Sequence, residues 1–368
     1  MPSPQSEEKL PLLRRLFGRL WRRPDTDIRP VRGPQVHLVI LDGTMSTLDP
    51  GRETNAGIAY RLARETGREV SIYYEPGLQW DSWRGLRDVM VGRGINRQIK
   101  RAYGYLASRY RVGDKIYLMG YSRGAYAVRS LAGIIDRVGL LSREHATERN
   151  ITQAYRLYEQ RVQCASADAF RAAYCRAQTT IEFVGVWDTV KSLGINAPVL
   201  WRLSAARHDF HNHDQSACVK RGCHALARDE TRVVYRPVMW QSDPAHSDQI
   251  RQMWFRGSHG DVGGQLGGRD ASRPLSNIPL VWMLNEAAEM GLPLPADWHA
   301  RFEQDASAPS IGTWAGWGKV FVTRRKRVIG TDPSERLHDS IAGSAAVADK
   351  PRPRRAGAWL PARIRRSS

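Results

Sequence analysis

The fold of this 368-residue chain is decided by the stretch KIYLMGYSRGAYAVRSLAGII, which runs from residue 115 to residue 135. It opens with an apolar run typical of a buried strand, and from Ala125 onward apolar residues recur at helical spacing. Between the two lies Gly-x-Ser-x-Gly, centred on Ser122. A sharp strand-to-helix turn exposes a serine hydroxyl and needs Gly120 and Gly124, because side chains there would clash. This context predicts Ser122 as a nucleophile; the alternative is an ordinary serine in a βα turn.

Strands and helices alternate on both sides of this stretch. Apolar runs predict strands at residues 36–41, 70–74, 115–119, 181–187, 233–238 and 252–255. Helical spacing predicts helices at residues 54–65, 94–110, 122–138 and 280–290. Alternation of this kind indicates an α/β fold of the α/β-hydrolase type, with a mostly parallel sheet covered by helices on both faces. Residues 141–180 are helical in pattern without a strand partner, which predicts a helical cap or insertion in a catalytic domain at 35–345.

A serine hydroxyl needs an adjacent base, and the base needs an orienting acid. In this fold the chain order is nucleophile, acid, base, with each partner just beyond a strand end. Asp188 directly follows the predicted strand at 181–187 and fits the acid. The alternative is an aspartate that caps the next turn.

His259 fits the base, because it follows the predicted strand at 252–255 in a glycine-rich loop from which a side chain can reach over the sheet edge. His338 is its chief rival, and His224 precedes a segment, Ala225-Leu226-Ala227, that is predicted to be helical. Asp261 lies too near His259 in the sequence to orient it.

An oxyanion hole requires two N–H groups. Arg123, the residue after the nucleophile, supplies one from its backbone. Asp42-Gly43-Thr44 follows the first predicted strand and is the natural second donor loop, since Gly43 lets the backbone approach closely.

The two ends of the chain are basic. In the appendage at 1–34, arginines separate apolar residues at helical spacing, namely Leu12, Leu13, Leu16, Phe17, Leu20 and Trp21. This pattern is typical of an amphipathic helix at an anionic membrane surface, or of a helix docked on the main domain. Residues 346–368 form a Pro- and Arg-rich tail predicted to be disordered. The net charge is +19, but the sequence contains no recognisable nucleic-acid-binding motif. The charge therefore indicates either binding to anionic lipid surfaces or a basic surface without a specific partner.

Several classes of protein are excluded by composition. No apolar run is long enough to span a bilayer, and arginines interrupt the only early apolar stretch, which excludes a secretory signal. Four cysteines do not make a disulfide framework, so we expect a cytoplasmic protein, peripheral to a membrane if its basic end binds lipid. Histidines and cysteines, which are common zinc ligands, cluster in one short segment: His208, His211, His213, Cys218, Cys223 and His224. Their spacing matches none of the usual zinc-ligand patterns, so we expect neither a metal nor a cofactor.

The nucleophile turn, the segments around the predicted acid and base, and the loop after the first strand together resemble a bacterial family of uncharacterised α/β-hydrolase-type domains that includes the phospholipase effectors of type VI secretion. The matching segments run in order over about residues 36–340: Asp42-Gly43-Thr44, Gly120 to Tyr126, Gly185 to Val190, His224 to Ala227, Asp229-Glu230, Trp254-Phe255, His259 to Gly264 and Leu337-His338. The family usually continues Asp-Gly-Thr with an aromatic residue and an asparagine, where this chain has Met45-Ser46.

The resemblance implies that Ser122, Asp188 and His259 form a catalytic triad and that the substrate is a lipid ester. The expected activity is therefore hydrolysis of carboxylic esters, most of all lipid and phospholipid esters, through an acyl-enzyme. A catalytically silent hydrolase-like module, which would bind lipid or a protein partner through its basic ends, is the alternative.

Overall fold

The structure is a computed structural model that describes residues 33, 35–77, 79, 93–160, 165–190, 218–242, 249–314 and 322–341. Three predictions lie outside these residues: the amphipathic helix near the start of the chain, the histidines at 208, 211 and 213, and the tail at 346–368. In the part of the chain that is described, no helix combines the length and the apolar character needed to cross a membrane.

Seven strands form one sheet within the described residues: β1 (Val36–Leu41), β2 (Val70–Glu75), β3 (Lys115–Tyr121), β4 (Ile181–Trp187), β5 (Val219–Ala227), β6 (Ile250–Phe255) and β7 (Glu335–Leu337). Their order is β2-β1-β3-β4-β5-β6-β7, and every neighbouring pair is parallel. The carboxyl ends of the strands therefore share one edge, which is where open α/β sheets bind ligands. The predicted α/β-hydrolase-like fold is confirmed.

Helices connect the strands: α1 (Asn55–Glu65), α2 (Arg93–Arg109), α3 (Arg123–Arg137), α4 (Glu148–Glu159), α5 (Ala165–Tyr174), α6 (His259–Gly263) and α7 (Arg273–Glu289). The side chain of Thr54 caps α1 by accepting from the Gly57 N–H at 3.0 Å. At the start of α6, Ser258 and Asp261 form a reciprocal capping box, in which the Ser258 N–H donates to the Asp261 carboxylate at 2.7 Å. This carboxylate fixes a helix start, in agreement with its exclusion as the orienting acid.

Both faces of the sheet are buried. Alternate residues of β1 point to opposite faces, so Val39 and Leu41 join one apolar layer while Leu38 and Ile40 join the other. The first layer is completed by α2 and α3, and the second by α1 and α7. Burial on both faces explains why these strands read as continuous apolar runs in the sequence.

The helical segment predicted at 141–180 contains α4 and α5. Helix α4 packs on α2 and α3, and a Cβ at Gly133 would lie 2.9 Å from the Tyr158 hydroxyl. From α5, Arg171 donates to the Asp136 carbonyl. These contacts lie in the last turns of α3, whereas the predicted nucleophile precedes its first turn. They favour an insertion beside the sheet over a cap above the strand ends.

Two local predictions are wrong. Residues 233–238, predicted as a strand, contain a 3₁₀ turn at Val233–Tyr235. Residues 225–227, predicted as helical, are the end of β5, and neither β5 nor β7 was predicted. Strand β5 is rich in small residues of weak strand propensity, but it pairs with β4 and β6 on its two sides. Pairing at the centre of a sheet outweighs such local preferences.

Candidate active site

The turn between β3 and α3 holds Ser122 in a strained backbone conformation, with φ 57° and ψ −119°. A Cβ at Gly124 would lie 2.0 Å from the Leu41 carbonyl oxygen, and one at Gly120 would lie 2.7 Å from the Gly124 carbonyl oxygen. Both glycines are therefore required by close packing of backbone against backbone. The Ser122 N–H donates to the Trp187 carbonyl at 3.0 Å, which fixes the turn against the end of β4.

The structure brings the three predicted side chains together. His259 Nε2 lies 2.9 Å from Ser122 Oγ, and His259 Nδ1 lies 2.6 Å from Asp188 Oδ2. Ser122 and His259 are 6% and 5% exposed, and Asp188 is fully buried. A neutral imidazole fits this chain of contacts, with Nδ1–H donating to the carboxylate and Nε2 accepting from the hydroxyl. Such an arrangement can withdraw the serine proton as the oxygen attacks.

Asp188 also binds a residue that the sequence did not predict. Arg327 Nη1 lies 2.5 Å from Asp188 Oδ1, and Nη2 lies 2.9 Å from Oδ2. The Ala227 N–H donates to Oδ1 at 3.0 Å. Burial alone would raise the pKa of Asp188, but the Arg327 charge and the hydrogen bonds from His259 and Arg327 hold that pKa well below its usual range. Arg327 belongs to a basic run, Arg324-Arg325-Lys326-Arg327, and such runs are usually solvated, so the sequence offered no signal for this contact.

Aromatic and acidic groups hold His259 in place. The Tyr235 ring stacks on the imidazole with centroids 4.7 Å apart and planes at 10°, and the Tyr121 ring lies 4.9 Å away. The His259 N–H donates to Glu230 Oε2 at 3.1 Å. Glu230 in turn forms a two-point ion pair with Arg232. These contacts restrict the ring to the orientation that faces the serine.

The rival histidines have other partners. His338 Nδ1 lies 2.9 Å from Ser340 Oγ, and its ring packs on Phe255 at 4.7 Å. His224 is fully buried in β5 and accepts from the Thr189 N–H at 3.1 Å. Burial lowers the pKa of His224 to about 3, so its imidazole is neutral.

The side chain of Asp42, which directly follows β1, accepts several hydrogen bonds. It accepts from the Gly43 N–H at 2.6 Å, from the Thr54 hydroxyl at 2.7 Å and from the Tyr74 hydroxyl at 2.8 Å. Burial nevertheless raises the pKa of this carboxyl to about 6. The carboxyl thus ties the loop after β1 to both α1 and β2.

Of the two predicted oxyanion donors, the Gly43 N–H already donates to a side chain, whereas the Arg123 N–H has no acceptor within its helix. The Arg123 N–H is in the first turn of α3, where the helix offers it no acceptor. The Gly43 N–H donates to Asp42, so Gly43 is not a free donor in this conformation, and the next N–H of the loop belongs to Thr44. Glycine at 43 is required for a different reason, because a Cβ there would lie 2.5 Å from the Tyr121 ring.

The histidines and cysteines considered above as zinc ligands lie only partly within the described residues. Of these, Cys218, Cys223 and His224 lie within the described residues, and there Cys223 contacts the carboxylate of Glu286 at 3.6 Å. Among the residues that the structure describes, no group of three or more histidine, cysteine or acidic side chains is placed to hold a metal ion.

A parallel sheet with a strained serine turn at the carboxyl edge of its strands defines the α/β-hydrolase class. Within that class, residues 36–286 match the family model described as "T6SS, Phospholipase effector Tle1-like, catalytic domain". The match covers more than half of the chain, so the chain belongs to this family, and the resemblance seen in the sequence is confirmed.

Similar proteins come from yeast and bacteria. The "Uncharacterized protein YEL023C" of Saccharomyces cerevisiae is 29% identical over 234 residues, which is 56% of this chain and 33% of that protein. An uncharacterized protein from Pseudomonas aeruginosa has 17% identity and a TM-score of 0.42, covering 82% of this chain and 54% of that chain. The Tle1 effector bound to the VgrG spike from the Type 6 secretion system has 15% identity and a TM-score of 0.37, covering 64% and 52%. This chain thus spans a third of the yeast protein and about half of each solved chain.

Proposed function

We propose that this chain is a serine hydrolase that cleaves carboxylic esters of lipids, phospholipids above all, through a triad of Ser122, His259 and Asp188. The observation that carries the proposal is the continuous contact from the serine oxygen to the imidazole and on to a buried carboxylate, at 2.9 Å and 2.6 Å. The strained serine turn supports it, because strain of this kind is retained where the surrounding structure enforces it and function uses it. The family description supports the phospholipid part.

In the proposed reaction Ser122 Oγ attacks the ester carbonyl carbon while His259 Nε2 takes the hydroxyl proton. The negative charge of the tetrahedral intermediate falls on the former carbonyl oxygen, beside the Arg123 and Thr44 N–H groups. The intermediate collapses by breaking the bond to the alcohol oxygen, which receives the proton from Nε2. Water then attacks the acyl-enzyme with the same base, releases the fatty acid and restores the serine. Asp188, held ionised by its partners, stabilises the imidazolium in both steps.

A fluorophosphonate probe tests the nucleophile directly. The wild type should be labelled, and Ser122→Ala should not. Ser130→Ala is a matched control, since Ser130 lies on the same helix and donates to the Tyr126 carbonyl at 2.8 Å, and it should be labelled like the wild type. Equal labelling of wild type and Ser122→Ala would refute the proposal.

A panel of short esters, triglycerides and phospholipids then identifies the substrate class. Asp188→Asn should lower kcat on the order of 10⁴-fold, because an amide favours the wrong imidazole tautomer. A folded wild type that neither reacts with the probe nor hydrolyses any ester would instead favour the catalytically silent module.

A further inference from the structure

Arg123, the first residue of α3, carries a buried positive charge next to the nucleophile. The residue is 6% exposed, and its Nη1 atom has no hydrogen-bond partner. Burial lowers the pKa of Arg123 to about 10, so the side chain is still charged at neutral pH. A buried donor without an acceptor is costly in a folded protein, and each such group requires an explanation.

The neighbouring carboxylates do not supply that acceptor. Asp188 is bound by Arg327, and Glu230 is bound by Arg232. The net charge of each of these ion pairs is close to zero. Among the described residues, Arg123 is therefore the cation of the site that lacks a carboxylate in contact with it.

Arg123 directly follows the nucleophile in the chain. Its Cα is about 3.8 Å from that of Ser122, since the two residues are consecutive. Burial raises the pKa of the Tyr235 phenol and the Arg123 charge opposes that rise; the Tyr235 ring stacks on His259 with centroids 4.7 Å apart. The N-terminus of α3, a helix of 15 residues, adds a partial positive charge at the same place.

We infer that Arg123 binds the phosphate of a phosphorylated ester substrate and thereby makes the site selective for phosphate-bearing over neutral esters. A guanidinium presents paired donors that match two phosphate oxygens. In a glycerophospholipid only glycerol atoms separate the phosphate from the scissile esters, so one bound molecule can contact both Ser122 and Arg123. This inference rests on the proposed hydrolase function and adds the chemical group that the substrate must carry.

The test compares two soluble substrates with the same acyl chains, dihexanoyl phosphatidylglycerol and dihexanoylglycerol, each below its micellar concentration. The measured quantity is the ratio of their kcat/KM values, which cancels any effect of a substitution on folding or on the nucleophile. Arg123→Gln should lower this ratio roughly 10- to 100-fold, the size expected for a lost hydrogen bond between charged groups. Arg123→Lys should retain part of the preference, because it keeps the charge but not the paired donors.

Arg129→Gln is the matched control. Arg129 lies on the same helix and is equally buried, but its guanidinium donates to the carbonyls of Val238 and Met239 and lies over the Trp240 ring. The substitution removes the same net charge, and the substrate ratio should stay at the wild-type value. An unchanged ratio in Arg123→Gln, or an equal fall in the control, would overturn the inference.

Inorganic phosphate separates a lipid headgroup from a free anion. It should inhibit dihexanoylglycerol hydrolysis by the wild type competitively and should inhibit Arg123→Gln less. Inhibition by phosphate together with an unchanged substrate ratio would mean that the guanidinium binds only free anions, and it would overturn the headgroup assignment. If the wild type hydrolyses neither substrate and its Ser122 is not labelled by a fluorophosphonate, the proposed function itself fails.

Discussion

Replacing Arg327 with glutamine removes the cation that binds both oxygens of Asp188. The Arg327 side chain is 5% exposed, so its charge is poorly screened by solvent. Its Nη2 and the His259 Nδ1 contact the same oxygen at 2.9 Å and 2.6 Å, and they are therefore at most about 5.5 Å apart. At an effective dielectric constant of about 20, this repulsion opposes the imidazolium by about 3 kcal/mol, equivalent to about two pH units.

The sign of the effect follows from this repulsion. Without Arg327 the protonated imidazole is stabilised, so the base loses activity at a higher pH. The acid limb of the kcat/KM profile should move upward by about one to two pH units in Arg327→Gln. Removing one partner of a buried ion pair also costs about 3–5 kcal/mol of stability, so the variant should unfold at lower urea concentration.

The assay is kcat/KM for a soluble ester between pH 5 and 9, with circular dichroism to verify folding at each pH. Arg327→Lys keeps the charge and should lie near the wild-type profile. Arg256→Gln is the control for loss of a charge, because Arg256 donates to the carbonyls of Ala306 and Ala308, and its acid limb should not move. A folded Arg327→Gln with the wild-type limb, or with a limb at lower pH, would refute the electrostatic reasoning.

Three further outcomes follow from the described contacts. Burial raises the pKa of Asp42 from 3.8 to about 6, so its contribution to stability is full below pH 3.8 and is lost as pH rises through 6. Urea unfolding should therefore show the wild type losing about 2 kcal/mol between pH 4 and 7 from this group, and Asp42→Asn should flatten that loss; an equal slope in both would contradict it. Gly77→Ala would place a Cβ 1.8 Å from the Gly43 carbonyl oxygen, and steady-state kinetics should show kcat falling on the order of 10²-fold as the donor loop shifts, whereas wild-type kcat would exclude that loop from the oxyanion site. His338→Ala should keep about the wild-type kcat, because the His338 ring is hydrogen-bonded to Ser340. If this variant is no longer labelled by the fluorophosphonate, the base must be reassigned to His338.

The parts of the site that could be predicted from the sequence are those set by local chain geometry. Ser122 stands between a strand and a helix, and Asp188 and His259 each follow a strand, so parallel pairing brings all three to one edge. Arg327 could not be predicted in this way, because its contact with Asp188 joins residues 139 apart in the sequence. The neighbours of such a contact depend on tertiary packing, and a basic run carries no information about which member is buried.

The same distinction explains the errors in the fold. Strands β1, β3 and β4 have apolar runs that identify them without reference to their neighbours. Strand β5 contains small residues and a glycine, and only its pairing with β4 and β6 makes it a strand. Strand β7 has three residues and depends on β6 in the same way.

The region that completes the site extends beyond the family match. The match ends at residue 286, whereas β7 and Arg327 lie after it. Arg327 donates hydrogen bonds to Asp188, to the Ala227 carbonyl at the end of β5 and to the Tyr235 carbonyl. It therefore connects the predicted acid to Tyr235, whose ring stacks on His259. A chain shortened after α7 would keep all three triad side chains but would lack Arg327, whose charge and hydrogen bonds help to hold the pKa of the Asp188 carboxyl low against the effect of burial. The segment after residue 286 is thus part of the electrostatic environment of the site, and the triad residues alone do not determine how the base behaves with pH.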